Sequence, residues 1–154
     1  MKMSKALHNS RLYQRFATPE ALWAVIIRGR EMGMGALTAL DNFHVIEGKP
    51  TPHAHLLISR AMEDPDCEYF MMTESTDTAA EYVTKHRRHP EPTRLRYTID
   101  EAKAAGMLEV KPGKKPGPWH TRPAEMLRKT CGVQLGRIVY PRAMQGLYAI
   151  EELT

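Results

Sequence analysis

The feature that most constrains the fold is a helix predicted to begin at Pro123, because proline is favoured at the first helical position. Steps of about 100° per residue divide its side chains between two faces. The apolar face holds Leu127, Cys131, Gln134, Leu135 and Ile138. The opposite face gathers Arg122, Lys129 and Arg137, with Met126 and Val133 among them. The pattern predicts a helix that packs through one face and presents cations suited to phosphates on the other.

Two glycines, Gly132 and Gly136, leave a strip without side chains beside the basic face. Such a strip lets another backbone or a phosphate come close. Both uses are open, and we favour tight packing within the same subunit.

A basic loop precedes this helix. The stretch 107–118 contains three prolines and two glycines together with Lys111, Lys114 and Lys115, which predicts a mobile loop. Trp119 follows it and has two possible roles. The ring could stack on a nucleic-acid base, which is worth about 1 to 3 kcal/mol, or it could anchor the loop to the core. We favour the anchor, because the loop otherwise lacks an aromatic residue that could fix it.

Length and cysteine content set the class of protein. With 154 residues, 42% of them hydrophobic, the chain fits one globular domain over 1–154, in which 1–17 is an N-terminal arm or an oligomerisation helix. Cys67 and Cys131 are too few for a disulfide framework and indicate reduced thiols in a cytoplasmic protein. The longest apolar run, 21–27, is far shorter than the roughly 18 residues that a membrane span needs.

Charge is unevenly distributed along the chain. The segment 85–142 holds 14 Lys/Arg against 5 Asp/Glu, a net +9, although the whole chain carries only +4. An asymmetry of this kind indicates a polyanionic partner, and the alternative is a solvated basic face with no partner.

The remaining pattern predicts an α+β fold. Thr18-Pro19-Glu20 is a helix start, with the helix running to about Met32. A strand at 43–46 and a turn at Glu47-Gly48-Lys49 form a short hairpin that leads into a helix at 53–62. Strands follow at 68–74, 78–87 and 93–98, and Thr98 can cap a short helix that ends at Gly106. Alternation in the last strand places Arg94 and Arg96 on one face, so we expect the sheet to have a basic side.

This ordered set of motifs resembles the RecT/Bet (Redβ-like) family of phage single-strand annealing recombinases. The similarity covers about 18–153, and its most specific part is the C-terminal block Gly117-Pro118-Trp119, Pro123, Met126-Leu127-Arg128, Gln134, Arg137 and Gly146-Leu147-Tyr148. The resemblance implies a small antiparallel sheet with a hairpin packed against helices, and a long central C-terminal helix.

The function implied by the resemblance is not enzymatic. Members bind single-stranded DNA and anneal complementary strands without ATP or any other cofactor, as homo-oligomeric rings or filaments in phage recombination and DNA repair. The expected partners are single-stranded DNA, the annealed duplex and a phage exonuclease, in the cytoplasm of a bacterial host or phage-infected cell. The chain ends just past Glu152, without the extension through which longer members recruit the host single-strand binding protein, so that partner is doubtful.

Phosphate contacts can be assigned from the family positions and the basic faces. Clustered Lys and Arg bind single strands in a sequence-tolerant, salt-dependent manner. The primary candidates are Arg128, Arg137, Lys129 and Arg122, and the secondary ones are Arg94, Arg96, Lys114, Lys115, Lys49 and the Trp119 ring. Positions that are basic in some members are Ala124, Glu125 and Thr130 here, so part of the groove could come from the loop or the sheet.

Other functions remain open. Asp41, Glu47 and Lys49 have a spacing similar to that of metal-dependent nucleases, in which two carboxylates hold Mg²⁺ and the lysine steadies the attacking water. A DNA-binding module that never anneals is equally compatible with the basic faces. His53 and His55 diverge at a helix start and lack a third ligand, so no metal site is predicted.

Overall fold

The computed structural model describes residues 1–153 and has a mixed α and β architecture, as predicted. The chain divides into two compact units, Met1–His53 and Ala54–Thr154. The helices are α1 (Lys2–Asn9), α2 (Pro19–Glu31), α3 (Ala36–Asn42), α4 (Ala54–Met62), α5 (Ile99–Ala104), α6 (Pro118–Thr121), α7 (Pro123–Val139), α8 (Pro141–Met144) and α9 (Ile150–Leu153). The strands are β1 (Phe43–Ile46), β2 (Lys49–Pro52), β3 (Cys67–Ser75), β4 (Ala79–His86) and β5 (Thr93–Thr98).

The first unit is built from α1 to α3 and the β1–β2 hairpin. The Thr18 hydroxyl caps α2 by accepting a hydrogen bond from the Ala21 N–H at 3.1 Å, which confirms the predicted helix start. The hairpin turns through Glu47 and Gly48, whose φ angles of 50° and 76° match the tight turn that two-residue hairpins favour. Lys49 follows this turn and is exposed, as expected.

In the second unit, α7 packs across one face of an antiparallel sheet with the order β3-β4-β5. The strands β4 and β5 pair from Ala79 with Thr98 to Thr84 with Thr93. The Thr98 hydroxyl and the Glu101 carboxylate cap each other's backbone N–H at the start of α5, forming a capping box. Local sequence therefore determines where α5 begins.

The burial of α7 differs from the two-faced prediction. Met126 and Val133, which the helical wheel assigns to the basic face, are buried in the core, whereas Ile138 is 63% exposed. The reason is that α7 contacts the sheet, α4 and α8 on several sides. A single apolar stripe is expected only for a helix that is covered on one side.

The two glycines of α7 serve packing, as we favoured. A Cβ atom at Gly132 would lie 2.7 Å from Ile58 Cδ1 of α4, and one at Gly136 would lie 3.2 Å from the Ala61 Cβ atom. Side chains at these positions would force α4 away from α7. The strip is therefore filled by side chains of α4 and, at Gly136, by Met144 of α8.

None of the helices within residues 1–153 combines the length and hydrophobicity that a transmembrane segment requires.

Candidate nucleic-acid interface

The three cations predicted to form the basic face of α7 are all engaged by carboxylates. Glu125 lies 3.3 Å from the Arg122 guanidinium and 2.7 Å from the Lys129 ammonium. This hydrogen bond from Lys129, with its charge and that of Arg122, lowers the pKa of Glu125 below its ordinary value. Arg137 forms two parallel hydrogen bonds of 2.8 Å to the Glu152 carboxylate.

These pairs attach the C-terminal segment to α7. The second carboxylate, Glu151, lies 3.5 Å from the Lys129 ammonium and accepts a hydrogen bond from the Ala54 N–H at 2.9 Å. Glu152 also accepts a hydrogen bond from the Ala149 N–H. The guanidinium of Arg137 further lies 4.3 Å from the centroid of the Tyr148 ring, a cation–π contact. Arg137 and Lys129 are thus structural cations as well as candidates for phosphate contact.

The outer face of the sheet is mixed in charge, so the prediction of a basic side is wrong. Arg94 lies 2.7 Å from Glu81, and Arg96 binds Glu74 with two hydrogen bonds of 2.9 and 3.3 Å. Hydrogen bonds from Thr73 and Arg94 lower the pKa of Glu81. This face is mixed in charge because strand pairing brings the glutamates of β3 and β4 beside the arginines of β5.

Arg128 stands apart from the other basic residues of α7. Its guanidinium forms no hydrogen bond or ion pair within residues 1–153, and the side chain is half-buried. It borders a cleft of about 290 Å³ between α4, β4 and α7, with Ile58, Met62 and Tyr82 as its apolar walls. We call this the Arg128 cleft. It offers a cation that has no ion-pair partner within residues 1–153, beside an apolar surface.

Residues of the Arg128 cleft other than Arg128 and Lys129 were missed by sequence reasoning. Ile58 and Met62 are one helical turn apart on α4, so the pair is visible as an i, i+4 contact. Tyr82 follows from strand alternation, since it shares a face with Thr84. The signal that was missing is the close approach of α4 to α7 at Gly132.

Two lysines of the loop have no ion-pair partner within residues 1–153. Lys114 and Lys115 are exposed in the irregular segment between α5 and α6, and neither forms an ion pair within residues 1–153. Lys49 is likewise exposed and without an ion pair in the first unit. These side chains can bind phosphates without first breaking an ion pair.

Trp119 takes the anchoring role that we favoured over base stacking. Its ring is 3% exposed and belongs to the core of the second unit, at the start of α6. The neighbouring His120 ring forms a hydrogen bond of 2.7 Å with the Leu108 carbonyl, which holds the other end of the loop in place. The ring is covered by the core and therefore presents no face on which a base could stack.

The three departures from the family pattern have distinct environments. Glu125 is the shared partner of Arg122 and Lys129, and Thr130 is 3% exposed, so neither offers a cation or an open position for one. Ala124 is half-buried beside them in the first turn of α7. This stretch of α7 therefore contributes Arg128 as its uncommitted cation.

The histidine pairs and the nuclease-like acids form no metal cluster. Within residues 1–153, no group of three or more His, Cys, Asp or Glu side chains is placed to hold a metal ion. His44 and His53 contact edge to face at 5.0 Å, and the His86 and His89 rings stack at 4.4 Å. Glu47 and Lys49 are both exposed around the hairpin turn.

Both cysteines are free thiols, as predicted. Burial raises the pKa of Cys131 to about 11, and its thiol donates to the Leu95 carbonyl at 3.3 Å. Cys131 is therefore an inert core residue.

Comparison of the chain with protein-family models gives no match, and comparison with curated protein sequences gives none either.

Proposed function

We propose that this protein binds single-stranded DNA and anneals complementary strands without ATP, as a homo-oligomer of the RecT/Bet type. The observation that carries the proposal is the Arg128 cleft, in which an uncommitted guanidinium borders the apolar side chains of Ile58, Met62 and Tyr82. A guanidinium binds a phosphate through paired N–H donors. The apolar wall beside it suits the sugar of the same nucleotide. Neither contact depends on base identity, as annealing requires.

Further phosphates along the strand would meet the exposed lysines of the loop, Lys114 and Lys115. The paired cations Lys129 and Arg137 would contribute only where a phosphate displaces their glutamates. The ring or filament, the phage-type role and a partner exonuclease rest on the family resemblance alone. Binding without annealing is the second candidate function, and the same experiment separates the two.

The test is the rate at which two complementary oligonucleotides pair without ATP, measured by fluorescence energy transfer. The wild-type chain should accelerate pairing, and Arg128→Ala should reduce single-strand affinity by about tenfold. The slope of log affinity on log salt should also fall by about 0.7, the value for one phosphate contact on a single strand. Arg94→Ala is the matched control, since it removes one cation that Glu81 already neutralises.

The outcomes are distinct. If the wild-type chain binds strands without pairing them, the protein is a DNA-binding module and the annealing proposal is wrong. Cleavage of DNA that requires Mg²⁺ and disappears in Glu47→Ala would replace the proposal with the nuclease. Equal losses in Arg128→Ala and Arg94→Ala would remove the Arg128 cleft from the binding surface.

A further inference from the structure

Three aromatic rings form a stack at the turn that joins β4 to β5. Tyr140 is buried, and the His86 ring lies against it at a centroid distance of 5.7 Å and an interplanar angle of 23°. The His89 ring lies against His86 at 4.4 Å and 22°. We call these three rings the histidine stack. It runs from the core of the Ala54–Thr154 unit to an exposed residue, His89.

Hydrogen bonds hold the turn and the middle ring of the stack in position. The His86 Nδ1 atom accepts from the Arg88 N–H at 3.1 Å, and its Nε2 atom lies 3.7 Å from the Asp66 carboxylate. The His89 N–H donates to the His86 carbonyl at 3.0 Å, and the Lys85 ammonium donates to the carbonyls of both histidines. The turn is therefore ordered before a ligand arrives, which reduces the entropic cost of binding.

The outermost ring of the stack is partnered on one side. His89 is exposed, and apart from its contact with His86 its ring forms no ring contact or hydrogen bond in the part of the chain that the structure describes. Single-strand binders place bases on flat aromatic faces of this kind, histidine included. Stacking engages the face of a base and leaves its hydrogen-bonding edge free, so a stacked base can still pair with a complementary strand.

The same turn supplies cations for the backbone of a strand. Arg87 and Arg88 are exposed, and neither guanidinium forms a hydrogen bond or an ion pair among the described residues. The carboxylates here are Glu91, within the turn, and Asp66, which faces the histidine stack. Lys85, Arg87 and Arg88 outnumber them, so the turn favours a polyanion. A guanidinium binds a phosphate through paired N–H donors whatever the base.

The other hairpin turn of this sheet forms without either feature. Between β3 and β4 the chain turns through Thr76, Asp77 and Thr78, where the Thr76 hydroxyl accepts hydrogen bonds from the N–H groups of Thr78 and Ala79. Its one charged residue is acidic. A turn of this sheet therefore needs neither a ring stack nor exposed arginines in order to form.

We propose that the turn between β4 and β5 binds single-stranded DNA, with one base stacked on His89 and the neighbouring phosphates bound by Arg87 and Arg88, an inference that rests on the proposed function. The Arg128 cleft suits a phosphate and a sugar, and the histidine stack adds the contact to a base. Because every base has a flat face, this contact tolerates any sequence.

The test compares a dT oligonucleotide with an abasic strand of the same length and phosphate number, by fluorescence anisotropy on the full chain. His89→Ala should reduce affinity for the dT strand by about tenfold, the order expected for one stacked base, and leave affinity for the abasic strand unchanged. The matched control is His89→Phe, which keeps a flat ring and should bind both strands as wild type does.

The double variant Arg87→Ala, Arg88→Ala should behave differently. It should weaken binding of both strands alike, by about tenfold at moderate salt, with the slope of log affinity on log salt reduced by about 1.4 for two phosphate contacts. The control Lys2→Ala, Lys5→Ala removes the same charge from exposed positions of α1 and should lose much less. Equal losses in the two double variants would remove the arginines from the site.

The other outcomes separate this inference from the proposed function. Equal losses on the dT and abasic strands in His89→Ala would mean that the ring only shapes the turn, and a lower urea midpoint of that variant would show the same cause. Wild-type affinity in His89→Ala beside a loss in Arg128→Ala would overturn the stacking site and leave the proposed function intact. Absence of wild-type binding to either strand would overturn both.

Discussion

Two sets of cations in the Ala54–Thr154 unit differ in what the fold has done with their charge. Arg94, Arg96, Arg122, Lys129 and Arg137 each lie within ion-pairing distance of a glutamate. Arg128, Lys114 and Lys115 do not, within residues 1–153. The charges of the first set are already balanced by carboxylates of the same chain, and those of the second are available to a ligand. A basic residue therefore counts toward a phosphate-binding surface only when no carboxylate of its own chain already binds it.

The carboxylates that neutralise the first set come mostly from outside the basic segment. Four of them lie outside 85–142 in the sequence, and folding places them beside its cations: Glu74, Glu81, Glu151 and Glu152. As a result, the segment's net +9 becomes a nearly balanced unit with 15 Lys/Arg and 14 Asp/Glu.

The largest expected effect is on stability, from Arg137→Ala. This change leaves the Glu152 carboxylate, whose side chain is 10% exposed, without its cation. A fully buried broken pair costs about 3 to 5 kcal/mol and a surface pair about 0 to 1 kcal/mol, so about 2 kcal/mol is expected for this intermediate case. Urea unfolding measures it. The control Arg94→Ala removes the pair of a 56% exposed arginine and should cost under about 1 kcal/mol; equal costs would show that the pairs do not differ.

The next effect is on binding, from the double variant Lys114→Ala, Lys115→Ala. Both side chains are exposed and unpaired, so single-strand affinity should fall by about tenfold at moderate salt, with a smaller salt slope and unchanged unfolding. The control is Lys2→Ala, Lys5→Ala, which removes the same charge from exposed positions of α1. If the control variant loses as much affinity, net charge and not the location of the lysines explains the binding.

Features with local causes could be predicted from sequence. The capped start of α2, the hairpin turn at Glu47 and Gly48, the capping box at Thr98 and Glu101 and the α7 start at Pro123 each depend on residues within one turn. Local hydrogen bonds and φ preferences are sufficient for these.

Features with distant causes could not be predicted. The pairing of Arg137 with Glu152, the burial of Met126 and the exposure of Ile138 depend on which elements surround α7. No periodicity in α7 itself contains that information. The environment of Thr130 is a further case, since some members of the family that the chain resembles have a basic residue there and the fold makes it a buried hydroxyl.

A smaller effect is expected when a paired cation is released. Glu125→Gln removes the carboxylate that Arg122 and Lys129 share, so both become more available and single-strand affinity should rise by about threefold. Fluorescence anisotropy at low salt measures the change. Glu91→Gln makes the same charge change at an exposed glutamate with no ion pair within residues 1–153. A rise of the same size in this control would assign the gain to net charge alone.

The smallest effect concerns acid stability. Because the hydrogen bond from Lys129 lowers the pKa of Glu125 from 4.5, the ionised form is favoured in the folded state. Its contribution to stability is complete above pH 4.5 and is lost as the pH falls through the lower folded value. The side chain is partly in solvent, so the change is small. Urea midpoints between pH 6 and pH 3 should fall less steeply for Glu125→Gln than for wild type. Parallel curves would mean that the pair of Glu125 with Lys129 adds no stability.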